Sequence, residues 1–509
     1  MRAADHLPDR FNAAEWFVGR HVAQGQGRRV AIVADEGKTT YEDLDLLVRR
    51  FAAALEAAAI HRGDRVALLL PDIPLLSAAF WGAIAAGAVA VPLNTLLKPE
   101  RLRTILEDCD PRVLVFDPAI VDGQAIANDG CAVWDRAGAR RRLEASAPVS
   151  GYAATHRDGA AFFLYSSGTT GEPKGVVHLQ HDTWVCSRTY GESVLAIRAE
   201  DRCFSIAKLF FAYGLGNAQY FPYDAGASCV LYAGRPTPEA VFEQVRRHRP
   251  TLFFGVPTAY AQMLAAMDRG VSVDFSSVRA CASAGEALPA PLFERWRERT
   301  GLEIFDGIGS TEICHMFLSN RPGAVRAGSS GKPIPGYDLR IVDESGGDVA
   351  DGEIGDLLVR GDSTMAFYWN RHEATKKALR GEWIATGDKY RRDADGFYWH
   401  AGRTDDMLKV GGQWVSPVEV EAALIAHPAV LECAVVGRED SDGLTRPHAF
   451  VAARPGADTA GLQEALRAFA KERLEPFKCP RWVTLLPELP RTATGKIQRF
   501  LLRAAAVKP

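Results

Sequence analysis

The sequence predicts an α/β protein, and three observations carry the prediction. Short apolar runs alternate with helical stretches over much of the chain. From about 328 the texture turns to short strands punctuated by glycine. Near 405 a third texture begins, a helix then a strand and later an amphipathic helix. Apolar strands followed by helices are the pattern of parallel sheets covered on both faces. A length of 509 residues allows two or three compact units.

Taken in order, the N-terminus (MRAADHLPDRFNAAEW) carries charges and no apolar core, so it does not read as a signal peptide. A strand at 65–71 precedes an uncharged stretch at 73–93 that is long enough to cross a bilayer. That stretch is mostly Ala and Gly, with Pro74, Ser77 and Pro92 inside it, so its transfer into lipid is weak. It reads as a buried helix over about 74–86 that turns at Gly87 into a buried strand, with no membrane span. A helix at 99–108 leads to a strand at 112–117, and an apolar run occupies 160–165. Strands at 251–257 and 278–286 each precede a helix. The stretch YDLRIVDESGGDVADGEIGDLLVRGD reads as hairpins or a small barrel. Beyond 405, ADTAGLQEALRAFAKERL has apolar residues three and four apart, the spacing of an amphipathic helix.

Composition narrows the function class. Hydrophobic residues make up 47% and charged residues 24%, which excludes disorder and collagen. Sixty Lys and Arg against 63 Asp and Glu leave a net charge of −3, so no basic excess asks for nucleic acid or an anionic membrane. Nine scattered cysteines form no CxxC and no zinc spacing; they fit reduced thiols in a cytoplasm.

The sharpest local signal is Tyr165-Ser166-Ser167-Gly168-Thr169-Thr170-Gly171-Glu172-Pro173-Lys174-Gly175. Glycines let backbone approach a ligand closely. Four hydroxyls and free N–H groups can wrap a polyphosphate, and Lys174 adds charge. It is not a Walker A loop, because Pro173 stands where that pattern needs glycine. Ser310-Thr311-Glu312 reads as a helix start, itself a place where phosphate binds. Glu312-Ile-Cys-His315 spells E-x-x-H, but it has no second copy, which argues against a carboxylate di-iron site.

The Tyr165–Gly175 string resembles the phosphate loop of the adenylate-forming superfamily: acyl- and aryl-CoA synthetases, peptide-synthetase adenylation domains and luciferases. Four further strings match in family order. They are Asp306-Gly-Ile-Gly-Ser-Thr-Glu312, Thr386-Gly-Asp388, Gly402-Arg-Thr-Asp-Asp406 and Pro490-Arg-Thr-Ala-Thr-Gly-Lys496. The resemblance implies a body of stacked mixed sheets with helices plus a small β-barrel-like unit over 1–404. A small mobile α+β C-terminal domain over 405–509, hinged at Asp405, would follow. It implies ATP, Mg²⁺ and coenzyme A. A carboxylate attacks the α-phosphate of ATP, and a thiol then displaces AMP from the acyl-adenylate.

By the same resemblance Lys496 bridges the carboxylate and α-phosphate. Thr311 bonds a phosphate, and Glu312 holds Mg²⁺. Ser166, Ser167, Gly168, Thr169, Thr170 and Lys174 cradle the phosphates. Glu286, Asp306 and Ile308 lie along the nucleotide, with Ile308 where the family commonly has a stacking tyrosine. Asp388 takes the ribose hydroxyls with help from Arg403. Gly411 and Gly412, which also read as a tight turn, line the path of the thiol, with Lys409 near the adenylate.

The middle of the chain looks like the benzoate-CoA ligase family. The strings that carry this are Lys208-Leu-Phe-Phe-Ala-Tyr-Gly-Leu-Gly-Asn217, Ala-Gly-Glu-Ala-Leu-Pro at 284–289, and the run from His315 to Pro322. Phe211, Tyr213, Phe221 and Ile308 with Ala212, Gly214, Ala284, Gly285, Gly307 and Gly309 form a flat apolar slot in this reading. Tyr213 and His315 are its polar handles. Benzoate, or a small substituted benzoate such as 2-aminobenzoate, is the expected acid. Free coenzyme A is the expected thiol, because the sequence carries no phosphopantetheine site; loading of a separate carrier protein is the alternative within the enzyme class. A non-catalytic nucleotide-binding homologue is the alternative outside it. A homodimer is the default oligomer.

Overall fold

The computed structural model describes residues 2–167, 172–410, 413–440, 443–491 and 497–507. The chain divides into two compact units. The first is Met1–Leu288, Leu292–Leu339 and Val359–Ile384; the second is Pro289–Pro291, Arg340–Leu358 and Ala385–Pro509.

Two large sheets build the first unit. A nine-stranded sheet runs in the order Lys332–Pro333, Met316–Ser319, Ile304–Gly309, Ala280–Ser283, Leu252–Gly255, Arg202–Ser205, Ser228–Val230, Val30–Ala34 and Gly37–Thr40. Its centre is parallel: Phe253 stands opposite Cys281 and Phe204, and Cys281 opposite Ile304. A seven-stranded sheet runs Phe367–Tyr368, Pro173–Leu179, Ala160–Ser167, Val89–Pro92, Arg65–Leu69, Val113–Phe116 and Ala132–Asp135. The alternation read from the sequence is therefore real, and it arises because strands covered on both faces are apolar throughout.

The helices Pro74–Ala85, Pro99–Cys109, Pro238–His248 and Pro257–Asp268 all open on proline, whose missing N–H is no loss in a first turn. Pro74–Ala85 is too short to span a bilayer, and it passes through Gly87 (φ +77°) into the buried strand Val89–Pro92. Among the described residues no helix is long and apolar enough to cross a membrane. One core gathers Phe204, Phe253, Tyr260 and Trp296, and another gathers Leu69, Val91, Leu102 and Phe163.

Parallel strands carry their functional loops at their C-terminal ends. Arg202–Ser205, Ala280–Ser283 and Ile304–Gly309 are mutually parallel through Leu252–Gly255. Their exits are the segments that carry Lys208–Tyr213, Ala284–Glu286 and Ser310–Glu312. Three strings far apart in sequence thus leave one sheet at one end.

In the second unit, Val430–Glu439 pairs antiparallel with Thr445–Ala453, which pairs parallel with Trp482–Leu486. Val420, Leu424, Val435 and Leu466 make one core, and Val436, Phe450, Leu502 and Ala506 a smaller one. The compact unit begins before 405. Trp383–Arg392 pairs with Tyr398–Arg403, and Ser416 bonds the Ala401 carbonyl, so 385–404 stays with the C-terminal residues. The glycine-punctuated stretch supplies strands Asp338–Val342 and Gly355–Arg360 of a five-stranded sheet.

Candidate active site

The two described arms of the Tyr165–Gly175 string pair antiparallel. Ser166 stands opposite Lys174 and Tyr165 opposite Gly175. Gly168, Thr169 and Thr170 lie outside the described residues. The Lys174 ammonium sits 5.3 Å from the centroid of the Tyr368 ring. The Tyr368 hydroxyl donates to Glu312 Oε1 at 2.8 Å. Lys174 and Glu312, 138 positions apart in the sequence, are thereby joined through one side chain that the sequence reading did not select.

Thr311–Ile313 forms a single tight turn after the strand. The Thr311 carbonyl accepts from His178 Nε2 at 2.7 Å, and His178 Nδ1 lies 2.7 Å from Asp182 Oδ2. Both side chains are fully buried, and the His178 ring stacks on Phe162. This imidazole–carboxylate pair anchors the Thr311–Glu312 turn to the end of the phosphate-loop hairpin. Its sequence signal was His178 and Asp182 four residues apart, directly after Lys174.

Three residues beyond Glu312, the surroundings change. Cys314 adopts φ +69°, rare for a side-chain-bearing residue, and His315 follows, 2% exposed. The His315 ring is the hub of an aromatic cage: Phe221 at 4.5 Å, Tyr190 and Tyr213 each at 5.5 Å, Tyr220 at 6.3 Å between centroids. Its Nε2 lies 3.2 Å from the Tyr213 carbonyl. Burial pushes the imidazole down to about 3, so it is neutral. Among the described residues His315 Nδ1 is buried without a hydrogen-bond partner, and the hydroxyls of Tyr190, Tyr213 and Ser283 are buried beside Ser319, Asn217 and Asp306 without a bond of normal geometry. Buried polar atoms of this kind ask for water or ligand.

The other pocket residues divide. Phe221 is in the cage, whereas Phe211 turns its ring edge-on to Phe210 at 4.5 Å. Ala212 and Ile308 are half-buried and Ala284 is buried; Gly285 is exposed. Gly307, Gly309 and Gly214 are shaped by backbone approach: an added Cβ would lie 2.3 Å from the Leu318 carbonyl oxygen, 2.4 Å from that of His315 and 2.1 Å from that of Lys208. Asp306 is buried, its carboxyl reached by the Leu288 N–H at 3.4 Å, and burial pushes it up to about 8. At neutral pH it is mostly protonated. Glu286 is half-buried.

In the second unit, Asp388 stands opposite Arg403, whose guanidinium donates to Asp388 Oδ1 and the Thr386 carbonyl, both at 3.0 Å. His400 Nε2 lies 3.5 Å from the same oxygen. Burial raises the Asp388 carboxyl, but the hydrogen bond from His400 and the charge of Arg403 outweigh it, leaving the group below its usual range. Gly387, within the strand at φ +74°, leaves room for the guanidinium, since an added Cβ would lie 2.8 Å from Arg403 Nη2. Asp405 is exposed, while its neighbour Asp406 pairs with Arg503 at 2.6 Å and Arg499 at 3.6 Å. Lys409 is exposed, opposite Trp414 in a short hairpin. Gly411, Gly412 and Lys496 lie outside the described residues.

Residues 19–369 match the model of the family described as AMP-binding enzyme, and residues 419–496 match that of the AMP-binding enzyme C-terminal domain. The chain belongs to the AMP-binding enzyme family. Among curated members, the benzoate-CoA ligase of Thauera aromatica is 46% identical over 99% of both chains. Among solved structures of the family, the anthranilate CoA ligase AuaEII in complex with anthranoyl-AMP aligns with a TM-score of 0.95. It is 41% identical, covering 100% of this chain and 99% of the other. A benzoate CoA ligase from Burkholderia xenovorans LB400 aligns with a TM-score of 0.90, at 44% identity over 97% of this chain and 100% of that one.

Proposed function

We propose that this AMP-binding enzyme takes benzoate or a small substituted benzoate such as 2-aminobenzoate as its acid. The reaction class follows from the family and its relatives: the chain is an AMP-forming acid–thiol ligase that uses ATP and coenzyme A. An aryl carboxylate oxygen attacks the α-phosphate and pyrophosphate leaves. The sulfur of coenzyme A then attacks the acyl carbon and AMP leaves.

The observation that supports the acid is the cage around His315. Tyr190, Tyr213 and Phe221 surround a neutral imidazole. A planar ring suits an aromatic-lined site with few polar atoms. His315 Nδ1 and the Tyr190 and Tyr213 hydroxyls serve benzoate through ordered water, or meet an amino or hydroxyl substituent directly.

At the other end, Lys174, Thr311 and Glu312 receive the phosphates, together with the hydroxyls and N–H groups of the 166–170 string. The first half-reaction brings two anions together, so fixed positive charge and oriented donors lower its barrier. Lys496 supplies that charge at the carboxylate. Asp388 and Arg403 take the ribose, with Glu286, Asp306 and Ile308 assigned to the nucleotide as before. A hard divalent cation needs only one or two carboxylates beside phosphate oxygens. Glu312, half-buried with Oε1 already oriented by Tyr368, fits that requirement. Mg²⁺ bound there would neutralise phosphate charge. In this reading the 405–509 segment, hinged at Asp405, moves between the two half-reactions and brings Lys409, Gly411 and Gly412 to the thiol path. The setting is cytoplasmic, and the oligomer a homodimer.

The test is a series of specificity constants for benzoate, 2-aminobenzoate, the three monohydroxybenzoates and cyclohexanecarboxylate. Benzoate or 2-aminobenzoate is expected to lead. Preference for the aliphatic acid would remove the aryl assignment.

A further inference from the structure

The strand Phe367–Tyr368 carries none of the strings that mark the reaction, yet it touches two of them. Its backbone pairs antiparallel with the second arm of the phosphate-loop hairpin, Tyr368 opposite Val176 and Phe367 opposite Val177. Just before it, the Met365 N–H donates to the Glu312 carbonyl at 2.7 Å, and the Ala366 N–H to the Val177 carbonyl at 3.0 Å. One short segment is therefore stitched to both the hairpin and the Glu312 turn. The segment is itself held: the Tyr368 N–H bonds Thr375 Oγ1 at 3.0 Å, and the Trp369 indole bonds the Asp108 carbonyl at 2.9 Å. The Asp108 carboxylate accepts from Tyr165 at 2.7 Å, on the strand that leads into the phosphate loop.

We propose that Tyr368 is a positioning residue for the adenylation step, fixing the Glu312 carboxylate for a divalent cation with its hydroxyl and the Lys174 ammonium for phosphate with its ring. This rests on the cation role proposed for Glu312. The hydroxyl donates to Oε1 at 2.8 Å, which fixes the carboxylate rotamer and leaves Oε2 for a cation. The ring face lies 5.3 Å from the Lys174 nitrogen, within the range of a cation–π contact. Tyr368 is 8% exposed and its two partners, Lys174 and Glu312, are half-buried, so the contacts are partly shielded from water and from screening. Without the hydroxyl, Glu312 must pay the ordering cost when the cation arrives, which weakens cation binding while leaving the acid site untouched. A purely structural tyrosine would instead affect melting temperature and every substrate together.

The experiment uses the full-length enzyme and Mn²⁺·ATP as probe, with bound Mn²⁺ read by electron paramagnetic resonance. Metal-free ATP binding is measured in EDTA, and the KM for benzoate in turnover. Tyr368→Phe is expected to weaken Mn²⁺·ATP binding about tenfold, with metal-free ATP binding and the benzoate KM unchanged. Tyr368→Leu is expected to weaken metal-free ATP binding as well, because the ring beside Lys174 is gone; if it does not fold, Tyr368→Phe decides alone. Parent-like Mn²⁺·ATP binding by Tyr368→Phe, beside a Glu312→Gln enzyme that has lost it, overturns the positioning role and leaves the Glu312 assignment standing. Parent-like binding by Glu312→Gln overturns both.

Discussion

Glu312 and His315 are three residues apart, and their surroundings are chemically different. Glu312 stands in a web of charge-assisted contacts: Tyr368 on its carboxylate, and the His178–Asp182 pair under the preceding carbonyl. His315 stands among rings, neutral, with one nitrogen lacking a hydrogen-bond partner among the described residues. The turn at Cys314, in the left-handed region, separates them. In the proposed reading the Glu312 end gathers negative charge and is preorganised by its own protein partners, because reorienting dipoles during reaction is costly. The His315 end, proposed to receive an uncharged ring, leaves its few polar atoms to water or to the substrate.

The largest effects should fall on one end only. Lys496→Ala and Glu312→Gln are each expected to slow carboxylate-dependent pyrophosphate release about a hundred- to a thousandfold. Thioester formation from supplied aryl-AMP and coenzyme A should be largely spared. Normal pyrophosphate release by either variant would break the division between the ends. His178→Ala is the next test. It leaves the buried Asp182 carboxylate short of a partner and is expected to cost about 3 kcal/mol in denaturant unfolding. It should also slow the first half-reaction more than the second, since the Thr311 carbonyl loses its donor.

The last test is a slope with pH. Burial raises Asp306 to about 8 from an ordinary 3.8, so between those values the folded chain holds a proton that the unfolded chain releases. Stability from this group is therefore greatest below about pH 4 and declines as pH rises towards 8. Asp306→Asn is expected to raise the melting temperature more at pH 8.5 than at pH 5; an equal shift at both would place a solvated carboxylate there. His315 has the opposite sign. Lowered to about 3 by burial, it costs stability as pH falls from 6.5 towards 3.

Much of the fold was legible. Strands at 65–71, 112–117 and 251–257 announced themselves because central parallel strands are apolar on both faces. The candidate residues Lys174, Thr311, Glu312 and His315 were singled out because they sit in continuous strings that resemble family motifs. Tyr368, Tyr190 and the His178–Asp182 pair were not selected. Tyr368 reaches Glu312 across 56 positions and His178 reaches Thr311 across 133, through strand pairings that no local pattern encodes. That 385–404 groups with the C-terminal residues in one compact unit is likewise not encoded locally, since it depends on the pairing of Trp383–Arg392 with Tyr398–Arg403.

By itself, then, the sequence determined the class of fold, the family motifs and the residue types proposed for phosphate, ribose and ring, because those depend on local periodicity and on chemistry carried within a few adjacent residues. The tertiary structure alone decided which of these residues share a side chain as partner, and that His315 is neutral and caged while Glu312 is held by a tyrosine. Burial and hydrogen bonding between distant strands set those properties, and neither exists until the sheets have formed.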